Sequence, residues 1–229
     1  MFRIKVCGVT SPDDAILAVE AGAEAVGINF YRGSPRFVPP DSAKRIVQAL
    51  GKRATAVAVF VDEDPEKIAA VCHDLGIGIV QLSGHEPAER VARIGVPVIK
   101  AVHGQSGSVF DTFRDYPCRA FLLDAAVPGK YGGTGFTLDW ESLGRRIGGP
   151  LVRFGRDGSS VPDRPWMLAG GLTPGNVAEA IRAARPFGVD VASGVEATPG
   201  KKDPGKMDAF VKNAREGFRS AGVGGKTPA

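Results

Sequence analysis

Arg3-Ile4-Lys5-Val6-Cys7, followed at once by Gly8-Val9-Thr10 and then by Ser11-Pro12-Asp13-Asp14, reads as a strand, a tight turn and the start of a helix. In a strand the side chains alternate between faces, so Ile4 and Val6 share one face and Lys5 and Cys7 the other. Ser11 supplies a capping oxygen, and Pro12 suits the first helical position, where its missing N–H leaves no bond unmade. Thr173-Pro174 and Asp64-Pro65-Glu66 repeat that capped start further along the chain.

Working outward, the same strand-then-helix unit recurs. Short apolar, β-branched runs stand near 3–7, 24–30, 54–61, 78–82, 97–101, 119–124, 166–169 and 188–192. Amphipathic helical patterns follow them near 11–22, 40–50, 64–75, 86–94, 107–115, 138–147, 174–184 and 203–219. Strands alternating with helices make a parallel sheet. Eight such units in about 220 residues suit closure into a barrel better than an open doubly wound sheet. The expected fold is therefore α/β, a single (β/α)8 TIM barrel with a parallel eight-stranded sheet, spanning residues 1–220. The Gly- and Pro-rich stretch 148–165 reads as a long surface loop with room for a short extra element, and residues 221–229 as a frayed tail.

The bulk properties agree with that reading. A chain of 229 residues with 43% apolar and 24% charged residues falls outside the disordered and fibrous classes. At this length a globule buries about 70% or more of its unfolded surface. The formal charge of +4 favours anionic ligands. Many of the surplus cations, Lys201, Lys202, Lys206, Lys212, Arg215, Arg219 and Lys226, cluster near the C-terminus and read as a solvated helix face and tail. Aromatics are 7% and are not interleaved with basic runs, which argues against nucleic-acid binding. Cys7, Cys72 and Cys118 are odd in number and widely spaced, so neither a disulfide framework nor a zinc cluster is indicated, and a cytoplasmic location fits. No apolar stretch approaches a membrane span and the N-terminus lacks a signal sequence. His73, His85 and His103 are scattered without metal-ligand spacing and are expected at the surface; no metal site is expected.

In a barrel of this kind chemistry gathers at the C-terminal ends of the strands. Strand one ends at Cys7, which on position alone is either a small buried hydrophobe or a base helped toward its thiolate by Lys5. Strand six ends at Asp124, a carboxylate closing an apolar run, either a cap or an acid. A thiol and a carboxyl on opposite sides of one mouth suit proton movement, hence isomerisation. Gly129-Lys130-Tyr131-Gly132-Gly133-Thr134-Gly135 after strand six offers backbone N–H groups to an anion, with Gly133 and Gly135 as candidate substrate contacts. Gly170 and Gly171 follow strand seven, and Asp190, Ser193 and Gly194 accompany strand eight. Paired glycine loops there form the usual barrel phosphate site, though tight turns also use glycine. Arg36, in Ser34-Pro35-Arg36, is either a substrate-carboxylate partner or a solvated loop arginine.

These residues resemble the phosphoribosylanthranilate isomerase family. Lys5-Val6-Cys7-Gly8-Val9-Thr10 is similar to its opening K-[IV]-C-G-[IL]-T. The likeness continues through Ser34-Pro35-Arg36, Gln81-Leu82, Ile99-Lys100-Ala101, Leu122-Leu123-Asp124, Gly132-Gly133-Thr134-Gly135, Asp139-Trp140, Ala169-Gly170-Gly171-Leu172 and Val189 to Glu196, nearly the whole chain. The resemblance implies a (β/α)8 barrel that performs an Amadori rearrangement of N-(5-phosphoribosyl)anthranilate in tryptophan biosynthesis, as a monomer or homodimer, without metal or organic cofactor. By motif, Cys7 is then the base at C2, Asp124 the acid at the ring oxygen, Arg36 the partner of the anthranilate carboxylate, and Lys5 a further substrate contact. The chain departs from the family at two points. Ser83 stands where Q-L-H-G has histidine, with His85 two residues later, and Phe136 stands where Lys or Arg follows G-[ST]-G. A phosphosugar epimerase would call for a metal built from paired His and Asp. An indole-glycerol-phosphate synthase would call for catalytic lysines and a glutamate on other strands.

Overall fold

The computed structural model describes residues 1–103, 107–124, 139–153 and 163–223. In chain order the elements are β1 (Ile4–Cys7), α1 (Pro12–Ala21), β2 (Ala25–Asn29), α2 (Pro40–Leu50), β3 (Thr55–Phe60), α3 (Pro65–Leu75), β4 (Val80–Leu82), α4 (Ala88–Val91) and β5 (Val98–His103). A 3-10 helix over Gly107–Phe113 leads to β6 (Ala120–Asp124), α5 (Trp140–Ile147), β7 (Leu151–Val152), β8 (Arg164–Ala169), α6 (Val177–Ala184) and β9 (Gly188–Val191). A 3-10 turn over Ser193–Val195, β10 (Glu196–Thr198), β11 (Lys201–Lys202) and α7 (Pro204–Ser220) complete the chain.

Parallel pairing runs from β1 through β2, β3, β4, β5 and β6 to β8 and β9, and β9 pairs back onto β1. The eight-stranded barrel is closed, so each of its eight strands is paired on both sides. The period of two sorts each strand between two cores. Ala25, Val57, Ile99, Leu122 and Met167 fill the barrel interior. Ile4, Val6, Val26, Ile28, Leu123 and Leu168 point outward into the layer under the helices. The anticipated alternation in strand one is therefore what the barrel uses: its aliphatic pair is outside, and Lys5 and Cys7 are inside.

Local punctuation explains most boundaries. The Ser11 hydroxyl accepts from the Asp14 N–H at 3.1 Å, and Gly22 ends α1 in the left-handed conformation. Pro65 holds the first position of α3, but the Asp64 side chain makes no capping bond. Other expectations are corrected. The helix expected over 107–115 is a 3-10 helix. That expected over 86–94 shrinks to the one turn of α4, hemmed in by Pro87 before it and Gly95 and Pro97 after it. Glu86 has no place in that helix because its buried carboxylate turns inward to Lys100, at 2.6 Å. Thr173-Pro174 opens a turn rather than α6: the Asn176 side-chain oxygen Oδ1 accepts from the Thr173 N–H at 2.7 Å, and the helix begins at Val177. Within the 148–165 loop, β7 pairs antiparallel with the start of β8, and 154–162 lie outside the described residues. In the expected tail, Ala221 and Val223 pack against the core.

Two rim loops are bolted together outside the barrel wall. Glu86 accepts from the Asp62 N–H at 3.0 Å, the Gly84 N–H at 2.9 Å and the Lys100 ammonium, while the Tyr116 hydroxyl donates to the Glu86 carbonyl at 2.8 Å. Asp62 accepts from the His85 N–H at 2.6 Å and holds a positive φ of 50°. A buried carboxylate with its acceptor sites filled and a cation beside it tolerates its low-dielectric surroundings.

Candidate active site

Because all eight barrel strands run parallel, their last residues lie on one rim. β1 ends at Cys7 and β6 at Asp124. Asp124 shares the inward parity of Ala120 and Leu122, is half-buried, and stands in register with His103 on one side and Ala169 on the other. On the shorter way round the barrel only β9 and β8 separate β1 from β6. Cys7 and Asp124 therefore face the same mouth. His73, His85 and His103 are exposed, and His103 reaches this rim beside Asp124.

The thiol sits in a charged cage. Lys5, 0% exposed, donates from its ammonium to Asp190 at 2.8 Å and to Gln81 at 2.9 Å, which takes two of its three donors, with the Cys7 thiol close by. Lys5, expected from the sequence as a substrate contact, is sealed in the interior close to the thiol. Asp190, expected with the phosphate site, is buried, and one of its carboxylate oxygens accepts from Lys5 at 2.8 Å. The Gln81 amide passes the chain on to the Ser83 hydroxyl at 3.0 Å, the residue where the family's histidine is absent.

Burial is the strongest influence on Cys7 and pushes its thiol above the ordinary range; Lys5 opposes this, Asp190 adds to it, and Lys202 opposes it. Burial also works against the Lys5 ammonium, but Asp190 and Cys7 outweigh it and hold Lys5 in its charged form. By contrast Cys72, with only burial acting on it, and Cys118, where Arg164 opposes burial, are both pushed to about 11. Gly27 on β2 leaves the sulfur its space: a Cβ there would lie 2.6 Å from Cys7 Sγ and 3.1 Å from Lys5 Nζ.

Arg36 arches over the turn that follows Cys7. Gly8, at φ 70°, makes room for it, since a Cβ would collide with the Arg36 side chain. Its guanidinium grips Glu196 through Nε and Nη2, both at 2.7 Å. Burial, the largest influence on Glu196, raises its pKa, but Arg36 and Lys202 together outweigh it and keep the carboxylate below its usual range. Lys202, read from the sequence as solvated, is buried: its ammonium donates to the Cys7 carbonyl at 2.7 Å, the Ala192 carbonyl at 3.0 Å and Glu196 at 3.0 Å. The signal for this pair was present in Thr198-Pro199-Gly200, a turn that places Glu196 opposite Lys202 in the β10–β11 hairpin.

Between β1 and β6 lie the two glycine loops. Gly170 and Gly171 leave β8 with φ of 82° and 67°. Gly194 lies so close to the Leu172 carbonyl that a Cβ would overlap it, so the loops after β8 and β9 touch backbone to backbone. Gly133 and Gly135 lie outside the described residues, as does Phe136. Among the described residues no group of three His, Cys, Asp or Glu is placed to hold a metal, and no helix is long and apolar enough to cross a membrane.

Comparison with known proteins agrees with this architecture. The family model described as N-(5'phosphoribosyl)anthranilate (PRA) isomerase matches residues 4–213. N-(5'-phosphoribosyl)anthranilate isomerase of Trichlorobacter lovleyi is 44% identical over 222 residues, covering 94% of this chain and 99% of the relative. The crystal structure of phosphoribosyl anthranilate isomerase from Thermotoga maritima is 41% identical with a TM-score of 0.79, covering 94% of this chain and 99% of that one. A second structure of such an isomerase, in complex with reduced 1-(o-carboxyphenylamino)-1-deoxyribulose 5-phosphate, is 38% identical with a TM-score of 0.75 and the same coverage. On the match of family model, relatives and fold over nearly the whole chain, it belongs to the N-(5'-phosphoribosyl)anthranilate isomerase family.

Proposed function

We propose that this enzyme converts N-(5-phosphoribosyl)anthranilate to 1-(2-carboxyphenylamino)-1-deoxyribulose 5-phosphate in tryptophan biosynthesis, with Cys7 as general base and Asp124 as general acid. The observation that carries the reading is positional: thiol and carboxyl end two strands on one rim, both turned inward, with the paired glycine loops of β8 and β9 between them. A phosphate seated on those loops would place the attached ribose between acid and base.

In the proposed sequence the Asp124 carboxyl gives its proton to the ribose ring oxygen while the C1–O bond breaks and the anthranilate nitrogen's lone pair forms the iminium. The Cys7 thiolate then takes the C2 proton, now acidified, and the resulting enolamine tautomerises to the ketone. The tautomerisation puts a proton on C1 and takes one from the 2-hydroxyl, which returns Cys7 to its thiolate and Asp124 to its protonated form; the electrons stay within the substrate, so the sequence needs no redox partner. Arg36, two of whose five donors are held by Glu196, offers the others to the anthranilate carboxylate. Gly170, Gly171, Ser193 and Gly194 receive the phosphate through backbone N–H groups. Around the thiol the cations Lys5, Arg36 and Lys202 outnumber the carboxylates Asp190 and Glu196, which suits a substrate that carries both a phosphate and a carboxylate.

The test is the conversion itself, followed as loss of the fluorescence of the anthranilate adduct. A chain that binds the adduct without consuming it would be a phosphosugar-binding barrel and would end this reading. Two further outcomes follow. Because burial raises the Cys7 thiol and the base must be deprotonated, only a minor thiolate fraction works at neutral pH. kcat/KM should therefore still be climbing as pH passes the ordinary thiol value of about 8.5; a plateau from pH 6 upward, read from the pH–rate profile, would contradict it. Gly194→Ala would force the Leu172 carbonyl away and part the two loops. The loss of one charge-assisted hydrogen bond predicts a KM about tenfold higher or more with kcat less affected, measured by steady-state kinetics.

A further inference from the structure

We propose that Lys202 is a positioning residue for this reaction, one buried ammonium that fixes the Cys7 thiol, the Arg36 guanidinium and the loop leaving β9 in a single geometry. The inference rests on the reading of Cys7 as base and extends it. Lys202 is 2% exposed, and burying an ammonium is costly unless every donor is met. All three are met, and their acceptors belong to three different parts of the mouth. The Cys7 carbonyl is the end of β1, the Ala192 carbonyl begins the loop to Ser193 and Gly194, and the Glu196 carboxylate is the group that Arg36 clasps. The backbone N–H of Lys202 is fixed in turn by the buried Asp14 carboxylate at 3.1 Å, and Gly200 of the same hairpin is held by the Thr10 hydroxyl at 2.6 Å. The anchor is therefore rigid at both ends.

An apolar side chain would fill the same space at lower desolvation cost, so the ammonium's contribution lies in what it orients and in its field at the sulfur. The charged groups acting on Cys7 are Lys5 on its own strand, Asp190 on β9, Arg36 after β2 and Lys202 on β11. Lys202 is the one of these that also binds the backbone of both β1 and the β9 loop. Its removal would take the ammonium away from two carbonyls, leave the Ala192 carbonyl with the long bond from the Val195 N–H at 3.5 Å, release Glu196 to Arg36 alone and withdraw a positive charge from the thiol.

The experiment compares the full chain with Lys202→Met and Lys202→Arg. Thiolate absorbance is titrated as a difference against the matching Cys7→Ser proteins, so that Cys72 and Cys118 cancel. For Lys202→Met the Cys7 midpoint should move upward by about one pH unit. Misplacement of the base by a change outside the reacting groups predicts a kcat lower by on the order of 10²-fold, with a smaller change in KM. Lys202→Arg keeps the charge, so its thiol should titrate near the parent value and recover part of kcat. A structural role alone would lower the melting temperature and leave the midpoint and kcat of the folded fraction unchanged, and that result overturns the proposal. If Lys202→Met does not fold, the same two readouts on Lys202→Arg decide: an unmoved midpoint with kcat lowered by altered geometry supports it, and unchanged kcat overturns it. A moved midpoint together with a fully active Cys7→Ser protein would instead refute the thiol as base while leaving the Lys202 effect on the thiol standing.

Discussion

Replacing Cys7 by alanine is expected to leave a folded barrel that has lost about 10²–10⁴-fold in kcat/KM, the usual contribution of a positioned base. The side chain is small and 9% exposed, with Gly27 opposite it, so truncation removes one atom from a well-packed place. The stability cost is about 0.5–1.5 kcal/mol, against a typical 5–15 kcal/mol for a whole domain. Melting should therefore shift by a few degrees while turnover nearly disappears. Lys5 would keep Asp190 and Gln81 as partners, so the interior charge network survives. Adduct fluorescence and a thermal melt on the same preparation give both numbers. Full activity in the folded variant would remove Cys7 from the mechanism.

Asp124→Asn is the second large effect, again about 10²–10⁴-fold in turnover. The amide has the shape of the carboxyl and the same inward seat beside His103 and Ala169, but it has no acidic proton to give to the ring oxygen. The loss should fall on kcat, because the phosphate loops and Arg36 are untouched. Titration with a reduced product analogue should give an affinity near that of the parent chain. A variant that turns over normally would remove Asp124 from the mechanism, and one that loses analogue binding and turnover together would assign it to binding rather than proton transfer.

Both expectations rest on features that neighbours in the chain determine. Lys5 and Cys7 lie on one face of a strand of known period, and the glycine pairs after β8 and β9 require positive φ or close backbone approach. Such features are local, and they are legible in the chain. Asp124 was legible for the same reason, as the polar end of an apolar run. Local reading failed wherever a side chain's partner is remote. Arg36 and Glu196 are 160 residues apart, Lys5 and Asp190 185, and Lys202 and the Cys7 carbonyl 195. No periodicity carries that information. Lys202 looked like one more surface cation in a basic segment because only the hairpin turn at Pro199-Gly200 and the closing pair of β9 with β1 bring it to the mouth.

By itself, then, the sequence determined the order of βα units, the closed parallel barrel and which residues stand at strand ends, since alternation, capping and turn chemistry act between neighbours in the chain. Tertiary structure alone decided the partners of the charges: Lys5 with Asp190 and Gln81, Arg36 with Glu196, Lys202 with two carbonyls, Glu86 with Lys100. The physical reason is that burying an ion is unfavourable until its counter-groups are met, and barrel closure is what brings groups from opposite ends of the chain within hydrogen-bond reach.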